Sequence, residues 1–582
     1  MNTTIPVVTV AALVVAAVAT VAIGVYGVRL ARTTSDFLVA SRSVGPRWNA
    51  AAISGEYLSA ASFLGVAGLI AKFGADALWY PVGFTAGYLA LLLFVAAPLR
   101  RSGAYTVPDF AEFRLGSVLL RRLAALIVVV ICAVYLIPQF QGAGLTLRIL
   151  LGVPDWVGAV VVGVIVIANV VGGGMRSITL VQAFQYWLKL TAVVLPALVL
   201  LGHFLAEDRQ LGEQAPPTVS ERTTVDITTD VVVQIGVAQP VSITGTLDGR
   251  AVDGRELLDG PHELAAGTRL TLEPGSAVPV VAGAPGDGAS WLTPGHGFGQ
   301  KHALYQVYSL IIATFLGTMG LPHVLVRFYT NPDGRIARTA ALAVIGLVGV
   351  FYLFPVLLGV FARLYVPQLL ITGTSDAAVV LLPGAVLSSV PGQLLAALVA
   401  AGAMAAFLST SSGLLVSIAG VLGTDMLRGR IRDFRLAALG GGVLPLGLSV
   451  AVTSLDLSRT VALAFSVAAS TLCPLLVLGI WWRRLTATGA AAGLVVGGLT
   501  AGGATAVSVS GGIPSDIGGG WPAAVLGYPA AVSVPLAFAT MVLVSVRTRG
   551  MDPRAVGRLF VRMHAPERLG LGADRERTLR SR

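Results

Sequence analysis

The sequence predicts an all-α polytopic membrane protein of about 13 transmembrane helices, interrupted near its middle by a β-rich insertion. Three observations carry this. Of 582 residues, 55% are hydrophobic and 12% charged, whereas a soluble domain carries about 25% charged residues. Apolar runs long enough for a hydrocarbon core of about 30 Å recur along the chain. Those runs stop between residues 206 and 300, where acidic residues, Thr, Pro and Gly take their place. The net charge of +11 would suggest nucleic acid in a soluble protein. Here the basic residues sit in short connections between apolar runs and read as orientation signals, so the implied partner is the lipid bilayer and not nucleic acid. Cys132 and Cys473 each lie inside an apolar run, with neither metal nor disulfide spacing.

Residues 1–45 hold a leading transmembrane helix, Pro6–Leu30, and a loop. The run is too long for a signal peptide, and its basic residues follow it rather than precede it. Residues 46–205 supply five helices: Ala51–Gly74, Leu78–Leu99, Ala124–Ile149, Trp156–Val171 and Ile178–Leu205. Residues 206–300 form the insertion, in which TTVDITTDVVVQIGVAQPVSITGTL and GTRLTLEPGSAVPVV show short β-branched alternation. A small β-rich unit and a flexible loop both fit it. Residues 301–483 supply five more helices: Ala303–Val326, Ala340–Phe361, a segment from about Pro391 to Leu422, Leu436–Val452 and Val461–Trp482. Two trailing helices occupy 484–546, and a basic tail 547–582. With the N-terminus outside, the clusters Arg32/Arg42/Arg47, Arg100/Arg101/Arg114, Arg176, Arg327/Arg335/Arg338, Arg428/Arg430/Arg432, Arg483/Arg484 and Arg547/Arg549 all fall in cytoplasmic loops or the tail. The insertion falls outside the cell.

Five helices per half is an odd number, so the two halves run in opposite senses. Each half opens with an irregular helix. In Ala51–Gly74, Ser54, Gly55, Glu56, Tyr57, Ser59 and Ser62 crowd the first part. An ionisable residue in a span faces a cavity or a partner, and unwound backbone at that depth must line a cavity or be buried by protein. We read a helix broken within Ser54–Ser59; an ordinary span with a polar end near the interface is the competing reading. In Ala303–Val326, the stretch Gly317–His323 contains Pro322, which removes a backbone donor and disfavours helix at Leu321. Interrupted helices at matching positions of two halves point to a transporter binding site. The third irregularity is Ala400–Gly420, with Ser409, Thr410, Ser411 and Ser412 in a row. Hydroxyls and freed carbonyls are hard neutral ligands suited to an alkali cation. Serines that bond their own helix and allow close packing are the alternative.

The stretches GEYLSAASFLGVAG (Gly55–Gly68), YTVPDFAEFRLG (Tyr105–Gly116), GTMGLPHVLVRFYT (Gly317–Thr330), AAFLSTSSGLLV (Ala405–Val416) and LAFSVAASTLCPLLVLGIWWRRLTATGAAAG (Leu463–Gly493) cover both halves in order. Together they resemble the sodium:solute symporter family, most closely its acetate/monocarboxylate permease branch. The resemblance implies a LeuT-type 5+5 inverted repeat in the plasma membrane. It implies uptake of a small monocarboxylate such as acetate, propionate or pyruvate, by alternating access, driven by inward flow of co-transported sodium. It places sodium on the backbone carbonyls of Gly55, Leu58 and Ala406 and the hydroxyls of Ser409 and Thr410. It places substrate near Tyr57, Ser59, Ala60 and the bend at Gly317, Gly320 and Pro322, with Gln139 or Gln141 contributing. One departure stands out. Many relatives carry Thr–Asp where this chain has Val181 and Gln182, so a cation step that needs that carboxylate is in doubt. Glu56 is the alternative carboxylate, beside the site or facing the cytoplasmic vestibule. No basic residue at the midplane stands out as a carboxylate clamp. Competing functions are a proton-coupled monocarboxylate symporter, a sodium/amino-acid symporter of the proline kind, and a membrane sensor. An enzyme is not expected, since the chain has no HExxH, no nucleophile elbow and no metal-spaced His/Cys cluster. His203, His262, His296 and His302 lie in or beside the insertion, and His323 and His564 stand alone.

Overall fold

The architecture comes from a computed structural model, which describes residues 7–30, 44–207, 211–227, 229–295, 301–372, 375–387, 390–427, 430–451, 457–509, 520–566 and 569. Arg32, Arg42, Arg428, His296 and residues 567–568 and 570–582 of the basic tail lie outside the described residues.

The chain opens with helix α1 (Val7–Leu30). The first irregular helix follows as α2 (Pro46–Tyr57), a π turn over Ala61–Gly65, and α3 (Val66–Phe73). Gly74, at φ 59°, ends it. Then come α4 (Trp79–Phe94), two short helices α5 (Ala96–Ser102) and α6 (Val107–Leu115), and the long α7 (Val118–Leu151). Helix α8 (Asp155–Ala206) is bent at Gly174, whose φ of 59° and ψ of −165° are not helical. Only glycine takes such a conformation without strain, so the Gly172–Gly174 run divides α8 into the two helices that the sequence predicts there.

The insertion is ordered as a five-stranded sheet: β1 (Thr223–Asp226), β2 (Val231–Leu247), β3 (Arg250–Leu264), β4 (Arg269–Leu272) and β5 (Val280–Val281). β2 and β3 are joined across Asp248–Gly249, with Leu247 opposite Arg250, and the end of β3 returns to this turn, where the Glu263 carbonyl accepts from Asp248 N at 2.9 Å. Asp248 and Gly249 both have positive φ, as a two-residue Asp-Gly hairpin turn requires. Alternate residues of β2 (Val231, Val233, Ile235, Val241 and Ile243) are buried in a core that also takes in Leu370 and Ile371 of the helical part. The short helix α9 (Gly288–Leu292) then seats the insertion on the helices. Trp291 Nε1 donates to the carbonyls of Ile70 (2.8 Å) and Ala71 (3.1 Å) at the end of α3.

The second half begins with α10 (Ala303–Gly320) and α11 (Pro322–Phe328), separated at Leu321 (φ −72°, ψ 115°). It continues through α12 (Gly334–Tyr365), the short α13 (Ala378–Val386), α14 (Val390–Val421), α15 (Ile431–Ala451), α16 (Leu457–Ser470) and α17 (Leu472–Trp481). Helices α18 (Ala487–Val509), α19 (Trp521–Gly527), α20 (Ala530–Arg547) and the amphipathic α21 (Pro553–His564) complete the described chain.

Among the described residues, eleven helical segments are long and apolar enough to cross a membrane. Two of them, Ala61–Phe94 and Asp155–Ala206, are each broken by a left-handed glycine, Gly74 and Gly174, so the crossings agree with the predicted thirteen. α2–α3 and α14 are deeply enclosed: every residue from Asn49 to Ala71 is buried, as is every residue from Val399 to Ala419. α1, α15 and α20 keep many apolar side chains exposed, such as Val15, Leu444 and Leu543. This suits a lipid-facing position.

Three corrections concern arginines read as loop charges. Arg327 is in α11 and is fully buried. Arg100 is buried with Nε on the Asn331 carbonyl at 2.5 Å. Arg114 is buried with Nε on the Gly479 carbonyl at 2.8 Å. Each guanidinium donates to backbone carbonyls or a carboxylate, which sequence spacing does not show.

Candidate functional site

The site grows from the end of α2. The last carbonyls of a helix have no partner one turn on and must find one elsewhere. The Ser54 carbonyl still accepts from Leu58 N at 3.0 Å. Leu58 then leaves helical geometry (φ −73°, ψ 88°). The unwinding is confined to Leu58 and Ser59, narrower than the predicted Ser54–Ser59; Ser54–Tyr57 remain helical. The freed carbonyls turn towards α8 and α14. Glu56 O accepts from Thr410 Oγ1 at 2.7 Å. Gly55 O and Leu58 O both accept from Lys189 Nζ, the latter at 2.6 Å. Ser409 Oγ is the third acceptor for that nitrogen, at 2.9 Å, and donates its own proton to Ala406 O at 3.2 Å. Gly55 permits this close crossing, since a methyl group there would overlap the Gln182 carbonyl on α8.

All five residues expected to hold sodium (Gly55, Leu58, Ala406, Ser409 and Thr410) are therefore brought together. Their oxygens are of the kind a small alkali cation prefers. As arranged they do not fit one, because Gly55 O, Leu58 O and Ser409 Oγ already surround the Lys189 ammonium. A second unit charge about 4 Å away would meet repulsion on the order of 4 kcal/mol at an effective dielectric of about 20. Lys189 is not among the site residues expected from the sequence. The signal was present: of the three lysines of the chain, Lys72 and Lys189 lie inside segments long and apolar enough to span, and Lys301 does not. An ionisable group at that depth is a functional candidate by default.

A second charged group lies next to the first. Arg327 donates from Nε to Glu56 Oε2 at 2.5 Å, from Nη1 to Thr179 Oγ1 at 2.7 Å, and from Nη2 to Gln182 Oε1. Glu56 and Arg327 are each 1% exposed. Gln182 Nε2 donates to the Ser409 carbonyl at 2.7 Å. The neutral amide thus accepts from Arg327 and donates to α14, a pair of tasks that an ionised carboxylate, having no donor, cannot perform. Glu56 faces this interior cluster, not a vestibule. Asn49 reaches in from α2 to the Arg327 carbonyl at 3.2 Å and to Asn331 at 3.0 Å.

The residues expected around substrate divide into four groups. Tyr57, Ser59, Ala60 and Gln139 lie at the break. Tyr57 Oη donates to Phe84 O at 2.8 Å, and Ala60 N donates to Gln139 Oε1 at 3.0 Å. Around them stands an aromatic wall: Tyr88 is 4.6 Å from Tyr57 between ring centroids, Phe465 touches both Tyr57 and Tyr135, and Tyr135 meets His323 at 5.3 Å. Gln139 Nε2, Tyr88 Oη, Ser59 Oγ and both ring nitrogens of His323 are buried without a hydrogen bond. Gln141 points elsewhere, to the Ser449 carbonyl of α15 at 3.3 Å. Gly317 and Gly320 give close packing: a Cβ at either would strike the backbone of Phe465 or Ala468 on α16. Pro322 lines a separate, small cavity of about 20 Å³ with Tyr105, Val128, Met175, Val326 and Ser417. Among the described residues, no group of three His, Cys, Asp or Glu side chains is placed to hold a metal ion.

With this geometry in view, the comparisons with known proteins are specific. The family model "Sodium:solute symporter family" matches residues 37–239 and 288–497, leaving out the second part of β2 and all of β3–β5. The chain is 32% identical over 534 residues to a monocarboxylic acid transporter of Corynebacterium glutamicum, covering 88% of this chain and 86% of that protein. It is 30% identical over 534 residues to an uncharacterized symporter, YwcA, of Bacillus subtilis, covering 89% and 90%. Among solved structures it is similar to a Na+-coupled sialic acid symporter in a substrate-bound outward-open state, with TM-score 0.60, 15% identity, and 93% and 98% of the two chains covered. That likeness carries the LeuT-type fold, with the insertion as an addition to it. The chain is a multi-pass membrane transporter and belongs to the sodium:solute symporter family.

Proposed function

We propose that this protein takes up a small monocarboxylate, of the acetate, propionate or pyruvate kind, across the plasma membrane together with a monovalent cation. Its N-terminus would lie outside and its C-terminus inside, with residues 46–205 and 301–483 as the two repeats. The observation that carries the reading is the set of unpartnered buried groups at the α2 break. A carboxylate only accepts hydrogen bonds, and Gln139 Nε2, Tyr88 Oη and Ser59 Oγ can each donate one. Phe84, Phe465 and the Tyr57 ring supply apolar walls. A short chain needs little more than such walls and a few placed polar groups. The Corynebacterium relative, a monocarboxylic acid transporter, supports the same substrate class.

Alternating access would work through the two broken helices, whose ends change partners as the bundles rock. One anion moving with one monovalent cation is electroneutral, so uptake would be insensitive to membrane potential. Sodium is the ion to which the family description and the sialic acid symporter point. The Lys189 ammonium among the expected sodium ligands favours a second reading, uptake driven by a proton gradient. Radiolabelled acetate uptake into proteoliposomes, with sodium and proton gradients imposed separately, tests both. Saturable acetate uptake blocked by propionate and pyruvate is expected. Uptake of proline in place of acetate would overturn the substrate assignment.

A further inference from the structure

The sodium position of this chain is filled by the protein itself. Hydrogen-bond accounting at Lys189 shows why. Gly55 O and Leu58 O are carbonyls and can only accept. The Ser409 hydroxyl spends its single proton on Ala406 O, so towards Lys189 it too accepts. Three acceptors converge on one nitrogen, and an ammonium has three N–H donors to give them. The arrangement is thus complete for a fixed cation. No carboxylate touches Lys189 among the described residues, and the side chain is fully buried. The charged group that faces it is Glu56 on α2, whose Oε2 is taken by Arg327 of α11. α14 has no charged side chain, and α8 has no other charged side chain between Arg176 and His203. The positive charge therefore rests on the same neutral oxygens that would hold a sodium ion, at the carbonyl end of α2 where the helix dipole favours a cation.

We propose that Lys189 is a tethered cation that occupies the sodium site and ties α2, α8 and α14 together, so that sodium neither binds there nor is needed for uptake. Lys189 is then the residue that determines ion specificity. The proposal rests on the symport reading above but is tested apart from it.

The test uses the full chain, purified in detergent and reconstituted, with sodium chloride or choline chloride as the salt. For the wild type, the thermal unfolding midpoint should be the same in the two salts, and 22Na should show no saturable binding. In Lys189→Ala, the ligand oxygens are released. Sodium should then bind and raise the midpoint by several degrees over choline, as a ligand specific for the folded state does. Replacing external sodium by choline should change wild-type acetate uptake less than about twofold, below the tenfold that 1.4 kcal/mol represents. Saturable 22Na binding to the wild type, or a sodium-dependent midpoint in the wild type, would overturn the proposal whatever the variant does. The salt comparison needs no substrate. A chain that ignores acetate yet shows no sodium effect would sink the substrate reading and leave the tethered cation standing.

Discussion

Replacing Glu56 by Gln should be among the most destabilising single changes in this protein. Its carboxylate meets Arg327 Nε at 2.5 Å, and both side chains are 1% exposed. The substitution keeps the volume but removes the negative charge, leaving the Arg327 guanidinium with only Thr179 and Gln182. Breaking a buried pair from one side costs about 3–5 kcal/mol, because the remaining charge is left uncompensated. Removing both charges, as in Glu56→Gln with Arg327→Met, avoids that penalty and should recover most of the loss. The assay is thermal unfolding of the detergent-purified chain, followed by the fraction that remains monodisperse after heating. The expected order of midpoints is wild type, then the double variant, then Glu56→Gln alone. A single variant as stable as wild type, or a double variant that loses the sum of the two singles, would refute the account of this pair.

Three further outcomes follow from neighbouring geometry. Gly413 of α14 packs on the Glu56 side chain so closely that a methyl group would overlap its carboxyl; Gly413→Ala should lower the midpoint by a similar amount and abolish uptake, whereas Gly420→Ala, with open space around it, should do neither. Trp291→Ala removes the anchor that ties the insertion to Ile70 and Ala71 and lies 5.3 Å from the Arg363 guanidinium; limited proteolysis should cut the insertion faster while the helices stay intact. In the hairpin turn, the His262 ring and then the Glu263 amide hold the Asp248 carboxyl below its usual range. Its contribution is therefore present above about pH 4 and fades as pH falls through the lowered value. The group is largely exposed, so the effect is under about 1 kcal/mol. Asp248→Asn should loosen the sheet near pH 6 and narrow the difference from wild type near pH 3, read by protease sensitivity.

Particular residues show why some features were legible and others were not. Pro322 cannot continue a helix through Leu321, so the α10–α11 break is local chemistry. The same holds for Gly174, which bends α8, and for the β2 alternation. The serine run of α14 marked its position by composition, and the carbonyls of α2 by the crowding of Ser54–Ser62. Arg327 was misplaced because charge beside an apolar run looks the same whether it faces water or turns inward. Gln141 looked equivalent to Gln139, and only the rotation of α7 separates them, sending one to Ala60 and the other to Ser449.

Residue order alone determined that this chain spans a membrane many times, that its two halves each begin with an interrupted helix, and that α14 carries a row of hydroxyls. These follow from hydropathy, from proline and glycine backbone limits, and from side-chain chemistry within one turn. Tertiary structure decided what stands between those hydroxyls and the α2 carbonyls. Lys189 lies 131 residues from Leu58 and 220 from Ser409, and no local rule says which oxygens a side chain will meet at that separation. The crossing of α8 over α2, close because Gly55 has no side chain, delivers an ammonium to the place where the sequence implied a free ion.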